Sequence, residues 1–444
     1  MNVAITVAGA EKTPTARLFL MMLLQIFIWG AWLPLIFGYL PTLGFTPFEQ
    51  SWILNAFPVA AIVGLFFGNQ FADRNFAAEK FLAFSHLVGG ITMFGLTMTT
   101  DFWPFLILMW VHCLFYVPTI SITNSIAFAH MRDPTAEFGP IRMGGTIGWI
   151  LAAWPFAFIL VDWAAVQAAQ PEGLIDLIGT ALGSGLTGDA LRAATPWTFR
   201  VAGIASLVLA AYALTLPHTP ARKAVSESMD RLAWLEAARL LKHPFILVLW
   251  IVTLADAFVH NLFFNWAAVF FGSEAVGIPG NWIMPVMSIG QVAEILTMLV
   301  LGTVLKKLGW RTTMMVGILA YVVRFGVYAW FPETTWLIVA INFVHGVCYA
   351  FFFASVYIFV DAVFPEDVRS SAQGLFNVMI LGVGALIANS VGPWLVQTVF
   401  TENGVTDFRS MFMIPIVISI LSAVVLAVGF KPPPDITTES ATDT

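Results

Sequence analysis

Two carboxylates, Asp256 and Glu294, lie inside long apolar stretches, where a charge at a bilayer centre costs about 2.5 to 3.5 kcal/mol. Such a group either faces a cavity, where it can take up and release a proton, or is a structural group satisfied by a hydroxyl or a histidine. Gln291 stands three residues before Glu294, so their side chains share one helical face. His260 follows Asp256 by four residues and is placed to neutralise it. Asn261 and Asn265, also four apart, lie on another face, where amides bind a solute or hydrogen-bond a neighbouring helix.

A second group combines a cation with hydroxyl and aromatic side chains. Arg142, Thr146 and Trp149 fall at i, i+4 and i+7, one stripe that could hold a polar ring; Arg142 alone would also suit a snorkelling surface anchor. Pro140 fits the first turn of that helix, and Gly144 with Gly148 form the small-x-x-x-small pattern of close helix packing. His345, Tyr349 and Phe352 lie along one face further on, with Phe351 and Phe353 beside them. Gln25, Trp29 and Trp32, then Tyr116, Thr119 and Thr123, repeat the polar and aromatic theme. Together these residues suit hydrogen bonding and stacking of a small polar solute, beside a group able to carry a proton.

The elements that must position them are membrane helices. Of 444 residues 59% are hydrophobic and 10% charged, against about 25% charged in an average soluble domain, which excludes a soluble fold. Apolar runs of spanning length, about 20 residues, fall near 17–40, 50–70, 80–99, 103–130, 138–161, 196–216, 244–271, 281–305, 312–330, 335–363, 370–400 and 410–430. The reading is an all-α integral membrane protein of twelve transmembrane helices in two six-helix bundles, since helices alone satisfy the backbone of such runs in lipid. Every Lys and Arg except Arg192, Arg200, Arg324 and Arg409 falls on one side of this arrangement, so both termini are expected in the cytoplasm.

The first run, Leu18 to Tyr39, is too long for a cleaved signal and is read as a retained helix. A basic connection at 217–243 divides an N-terminal bundle (1–216) from a C-terminal one (244–431), and 432–444 form a cytoplasmic tail. The halves then suit a carrier built of repeats around a midplane site. The other long connection, 162–197, faces outside, and its Gly/Ala-rich part from Leu174 to Gly188 is expected to form short surface helices.

Other chemistries are excluded by what the chain lacks. It has no Gly-Lys-Ser/Thr phosphate loop for an ATP motor, no Gly-x-Ser-x-Gly elbow and no His-Glu-x-x-His pair, so an enzyme is not expected. The seven histidines do not fall at metal spacing, and Cys113 and Cys348 cannot build a disulfide framework; neither metal nor cofactor is implied. No clustered Lys/Arg footprint indicates nucleic acid. The residues alone leave open a carrier for a sugar or another polar solute, a drug exporter, and a sensor that binds without transporting.

The order of motifs resembles the bacterial nucleoside:proton symporters of the major facilitator superfamily. The matching stretches are Gln25-Ile-Phe-Ile-Trp-Gly-Ala-Trp-Leu33, Tyr116-Val-Pro-Thr119 with Asn124, and Pro140-Ile-Arg142 with Gly145-Thr-Ile-Gly148. Leu214-Thr-Leu-Pro-His-Thr-Pro220, Gln291 with Glu294, Arg324-Phe325, Ser371-Ala-Gln-Gly374 and Asn403-Gly-Val-Thr-Asp407 continue the match through nearly the whole chain. The resemblance implies a monomeric inner-membrane carrier that takes up a nucleoside with a proton. It implies substrate contacts at Arg142, Thr146, Trp149, Asn261, Gln291, Glu294, His345 and Tyr349 and a gating role for Asp73 and Arg74; proton coupling is expected from the titratable groups left in the core, Glu294 first, then Asp256, and after them His260 or His345. This chain departs from the family pattern where Trp149 replaces a Phe, Phe258 a Gln, His345 a Tyr, and Ala350 the Asp of a Phe-Asp pair.

Overall fold

In the computed structural model, residues 13–64, 76–132, 134–221, 239–364 and 366–432 are described. Asp73, Arg74, most of the basic connection and the C-terminal tail lie outside them. The described chain is helical apart from a two-stranded hairpin, Thr401–Glu402 with Val405–Thr406.

The N-terminal half contains α1 (Thr15–Tyr39), α2 (Pro47–Leu54), α3 (Ala56–Val63), α4 (Ala78–Leu96), α5 (Phe102–His130) and α6 (Pro134–Ala153). Four short helices follow, α7 (Phe156–Ile159), α8 (Trp163–Ala168), α9 (Gly173–Gly183) and α10 (Gly188–Ala194), and then α11 (Trp197–Ala213). The connection expected to carry short helices does so. The C-terminal half contains α12 (Pro244–Phe271), α13 (Gly280–Trp330), α14 (Thr335–Ile341), α15 (Val344–Cys348), α16 (Ser355–Val363), α17 (Glu366–Asn377), α18 (Gly384–Trp394) and α19 (Phe408–Gly429).

Eight helical stretches among the described residues are long and apolar enough to cross a membrane. One of them, α13, has 51 residues, and at about 1.5 Å per residue it exceeds twice the hydrocarbon thickness of a bilayer, about 30 Å. It is two helices meeting at Gly309, whose φ of 71° breaks the helical backbone in a region that glycine tolerates best. These correspond to the expected spans 281–305 and 312–330. The expected spans 335–363 and 370–400 are interrupted by π-helical stretches at Tyr349–Ala354, Val378–Val383 and Leu395–Val399.

Small residues set the closest approaches. A Cβ on Gly144 or Gly148 would overlap the Phe19 or Leu23 carbonyl oxygen of α1, so α1 and α6 pack backbone to backbone as the glycine spacing requires. In the C-terminal half a Cβ on Gly346 would overlap the Ala293 carbonyl in the same way.

The two halves also meet through polar contacts at one end. Gln50 and Gln397 exchange amide hydrogen bonds of 3.2 and 2.7 Å. Asn55 donates to Ser390 Oγ at 2.8 Å, and Asn389 donates to the Leu54 carbonyl at 2.9 Å. The Gly280 amide and the Trp282 indole donate to the Leu186 and Leu182 carbonyls at 2.9 and 2.8 Å, docking the α9 region on the start of α13.

Candidate functional site

Between the halves lies a cavity of about 700 Å³, within the range of small-molecule sites. Arg142, Thr146, Trp149, Asn261, Gln291, Glu294, His345 and Tyr349 all line it. The α6 stripe supplies the first three, α12 supplies Asn261, α13 supplies Gln291 and Glu294, and His345 and Tyr349 come from α15 and the π-helical stretch after it. Such π-bulges recur at functional sites because the extra residue per turn re-aims neighbouring side chains.

An aromatic chain crosses from one half to the other along the cavity wall. Phe57 stacks on Trp29 at 4.5 Å, Trp29 meets the edge of Trp149 at 5.4 Å, and Trp149 meets Phe264 at 5.8 Å. Phe264 then touches His260 at 5.0 Å and His345 at 5.4 Å, and the two imidazoles stack on each other. A planar ring entering this space meets aromatic faces from both halves, each contact worth about 0.5 to 1.5 kcal/mol beyond the area it buries.

The polar groups among these rings are incompletely paired. Gln291 Oε1 and the Trp29 and Trp32 Nε1 atoms are buried without a hydrogen-bond partner, although all three residues line the cavity. Buried polar groups normally find a partner, so an unpaired acceptor and two unpaired donors are suited to a polar solute. Asn261 donates its amide to the Ala257 carbonyl at 2.8 Å, which fixes the side chain. Glu294 is the one carboxylate among the described residues lining the cavity, and it interacts electrostatically with Arg142 of the other half.

Asp256 is placed differently. It is buried, it is not part of the cavity wall, and neither of its carboxylate oxygens has a hydrogen-bond partner. The expected neutralisation by His260 does not occur through a hydrogen bond, because His260 Nδ1 is engaged by the Tyr321 hydroxyl at 2.6 Å.

The polar residues Gln25, Tyr116, Thr119 and Thr123 do not reach the cavity either. Three of them build a network behind it. His86 Nε2 lies 2.8 Å from Gln25 Oε1, Gln25 Nε2 donates to Thr119 Oγ1 at 2.9 Å, and His86 Nδ1 contacts Ser206 Oγ at 3.1 Å. The Tyr116 hydroxyl donates to the Gln25 carbonyl. Their spacing is that of a site, but their faces turn towards α4 and α11 instead of inward.

The sequence marks Arg324 as a cation on the sparsely charged side and, with Phe325, as one of the matching motifs, but gives it no role in the site. The structure buries it fully. Its Nη1 lies 2.8 Å from His345 Nδ1, its Nη2 donates to Asn342 Oδ1 at 2.9 Å, and its Nε donates to the Tyr328 hydroxyl at 3.1 Å. The signal was present, since an arginine inside an apolar run of spanning length is itself a functional candidate. The contributions of Val378, Ile380, Leu381 and Gly382 to the wall had no comparable signal, because an apolar stretch does not announce a π-bulge.

Comparison with known proteins places this architecture. The family model for the nucleoside H+ symporter matches residues 13–188 and 173–435. The xanthosine permease of Escherichia coli K12 is 29% identical over 440 residues, covering 94% of this chain and 95% of that protein. The putative nucleoside transporter YegT of the same organism is 28% identical, with 94% of each chain covered. The crystal structure of the nucleoside transporter NupG superposes with a TM-score of 0.76 at 26% identity, covering 94% of this chain and 99% of that one.

Proposed function

The chain belongs to the nucleoside H+ symporter family, and from this we infer that it imports nucleosides together with protons. The observation that carries the reading to this chain is the cavity itself. Unpaired Gln291 Oε1, Trp29 Nε1 and Trp32 Nε1 stand among aromatic rings drawn from both halves, a wall suited to a flat, hydrogen-bonding molecule. In this reading Arg142, Thr146, Asn261, Gln291, His345 and Tyr349 supply hydrogen bonds, and Trp149 packs against the ring. Twelve crossings form two six-helix bundles, divided at 217–243, that rock around the cavity in alternating access. A single chain encloses the whole cavity, which supports a monomeric carrier of the bacterial inner membrane. With both termini cytoplasmic, the Gln50–Gln397 end, where polar contacts join the halves, faces outside, and Asp73 and Arg74 serve a gate on the cytoplasmic side.

Coupling requires a group that gains a proton in one access state and loses it in the other. Glu294 fills that role best, because it lines the cavity opposite Arg142, three residues from Gln291, where an arriving solute changes its surroundings directly. Asp256 is the second candidate, since it is buried without a hydrogen-bond partner, where an ionised carboxylate is costly. With Ala350 fully buried and apolar, the tenth span adds no third carboxylate at that position.

The test is transport by purified protein in proteoliposomes. Counterflow of labelled uridine or adenosine is expected, and so is accumulation against a gradient when an inward proton gradient is imposed. Saturable binding without counterflow would make the protein a sensor, and counterflow that ignores the proton gradient would make it a facilitator.

A further inference from the structure

His345 is held by a cation that cannot give up its proton. A guanidinium is always charged and only donates, so at 2.8 Å from Arg324 Nη1 the His345 Nδ1 atom must accept. The one ring proton of the neutral imidazole therefore sits on Nε2. Protonating Nδ1 would replace that hydrogen bond with a contact between two cations in an apolar interior.

Arg324 has no freedom to retreat. Besides Asn342 and Tyr328, it meets the Phe263 ring, with Cζ 3.3 Å from the ring centroid. The Tyr328 hydroxyl donates to the same Asn342 Oδ1 at 3.0 Å, and Asn342 Nδ2 donates to the Ile338 carbonyl at 2.7 Å. The imidazole is also wedged by its neighbours. His260 stacks on it at 5.4 Å and 24°, Phe263 and Phe264 pack against it, and a Cβ on Gly290 would come within 3.0 Å of its ring carbon.

We propose that the Arg324–His345 pair is a specificity device: His345 presents a fixed Nε2–H donor to the cavity and selects nucleosides by a hydrogen-bond acceptor on the base. This inference rests on the nucleoside reading above. The base is the relevant part because Phe264 packs against His345 at 5.4 Å in the cavity wall and meets Trp149 beyond it, rings that suit a planar heterocycle better than a sugar. The accepting atom is a carbonyl oxygen or an unprotonated ring nitrogen, and a base with a donor at that place leaves two donors opposed. Arg324 acts through His345 as a positioning residue, since it does not itself line the cavity.

The experiment has two arms. In the first, imidazole nitrogen NMR on the unsubstituted protein is expected to show His345 with Nδ1 unprotonated and Nε2 protonated, and the Nε2 signal is expected to move when uridine or adenosine is added. Arg324→Lys retains a cationic donor and should preserve the tautomer, whereas Arg324→Met should release it. A protonated Nδ1, or an Nε2 signal indifferent to bound nucleoside, overturns the inference. Because this arm needs no substitution at His345, it holds even where a variant fails to fold.

In the second arm, binding is compared over a nucleoside series in which each base acceptor is removed in turn. One member is expected to lose about tenfold in affinity, the scale for a buried donor left unpaired, and that loss should disappear in His345→Phe. The same loss in both proteins, or no loss in either, overturns the inference while leaving nucleoside transport standing. If no nucleoside binds at all, the nucleoside reading fails, and this inference with it.

Discussion

The two halves wall the same cavity but support it with different chemistry. Behind the N-terminal wall, Gln25, His86, Thr119 and Ser206 form a neutral network in which both His86 nitrogens are engaged. In the C-terminal half two stacked imidazoles stand in the wall itself, and behind it lie a buried guanidinium and a carboxylate with no hydrogen-bond partner. Related positions are used in each case, on the first, third and fourth expected spans of each half, with Ser206 added from the sixth span of the N-terminal half. A neutral, satisfied network rigidifies its surroundings, whereas a buried carboxylate without a hydrogen-bond partner responds to a proton or a ligand. On this contrast the N-terminal wall is expected to stay fixed, and a group that gains and loses a proton is expected in the C-terminal half.

The largest effect is expected where a switching group is disabled. Glu294→Gln should retain counterflow, which needs no net proton movement, and lose accumulation driven by an imposed pH gradient by an order of magnitude or more. Substituting the N-terminal network, as in Gln25→Leu, should leave the ratio of driven accumulation to counterflow intact. If Glu294→Gln still concentrates substrate, the coupling group lies elsewhere and Asp256→Asn becomes the decisive variant.

Stability should follow the same division. Arg324→Met leaves His345 Nδ1 without a donor in an apolar interior, while Asn342 Oδ1 keeps the Tyr328 hydroxyl, and at about 1 to 3 kcal/mol for an unsatisfied group a loss of about 2 kcal/mol is expected. Gln25→Leu strips hydrogen bonds from His86 and Thr119, but both keep other partners, so about 1 kcal/mol is expected. Thermal unfolding of the two purified variants checks the order; an equal loss would remove the distinction between a charged and a neutral wall.

Substrate affinity separates the walls by a smaller amount. Gln291→Ala removes a polar group of the C-terminal wall and should weaken nucleoside binding by about 1 to 2 kcal/mol. Trp149→Ala removes an aromatic contact from the N-terminal wall and should cost about 1 kcal/mol, with little change in the discrimination between bases. Unchanged affinity in both variants would mean that the cavity is not the binding site.

Much of this was legible in the sequence, for specific physical reasons. Apolar runs of spanning length gave the helices, and the Gly144 and Gly148 spacing gave a close helix approach, because only a missing Cβ permits it, although not that the partner is α1. Polar residues inside apolar runs marked the cavity, since lipid leaves them few other places. Spacing failed with Gln25 and Thr119, because i and i+4 fixes a shared face and not the neighbour which that face meets. The Arg324–His345 bond was hidden for a related reason: its partners lie 21 residues apart on separate helices, and no local pattern relates them.

The smallest expected effect concerns two acidic residues at helix starts, one in each half and both outside the expected spans. Burial pushes the Glu79 carboxyl up, but the Thr219 amide and the His218 imidazole outweigh it and hold the group below the usual carboxylate range; the distances are 2.9 and 2.8 Å. Asp407 is exposed, and the Ser410 hydroxyl and amide lower its carboxyl where it caps α19. For a group depressed in the folded state, the stabilisation is present above the unfolded value, about 4, and is lost as pH falls through the folded one. Glu79→Gln should therefore cost about 1 kcal/mol at neutral pH, and the gap between variant and unsubstituted protein should close as the pH is lowered below about 4. Asp407→Asn should cost only a few tenths of a kcal/mol, since asparagine caps a helix about as well as aspartate. Unfolding temperatures recorded for both variants across that range decide the matter. A gap for Glu79→Gln that widens on acidification would mean that the buried carboxyl is held neutral in the folded protein, and that the contacts tying the segment after α11 to the start of α4 are not made to an anion.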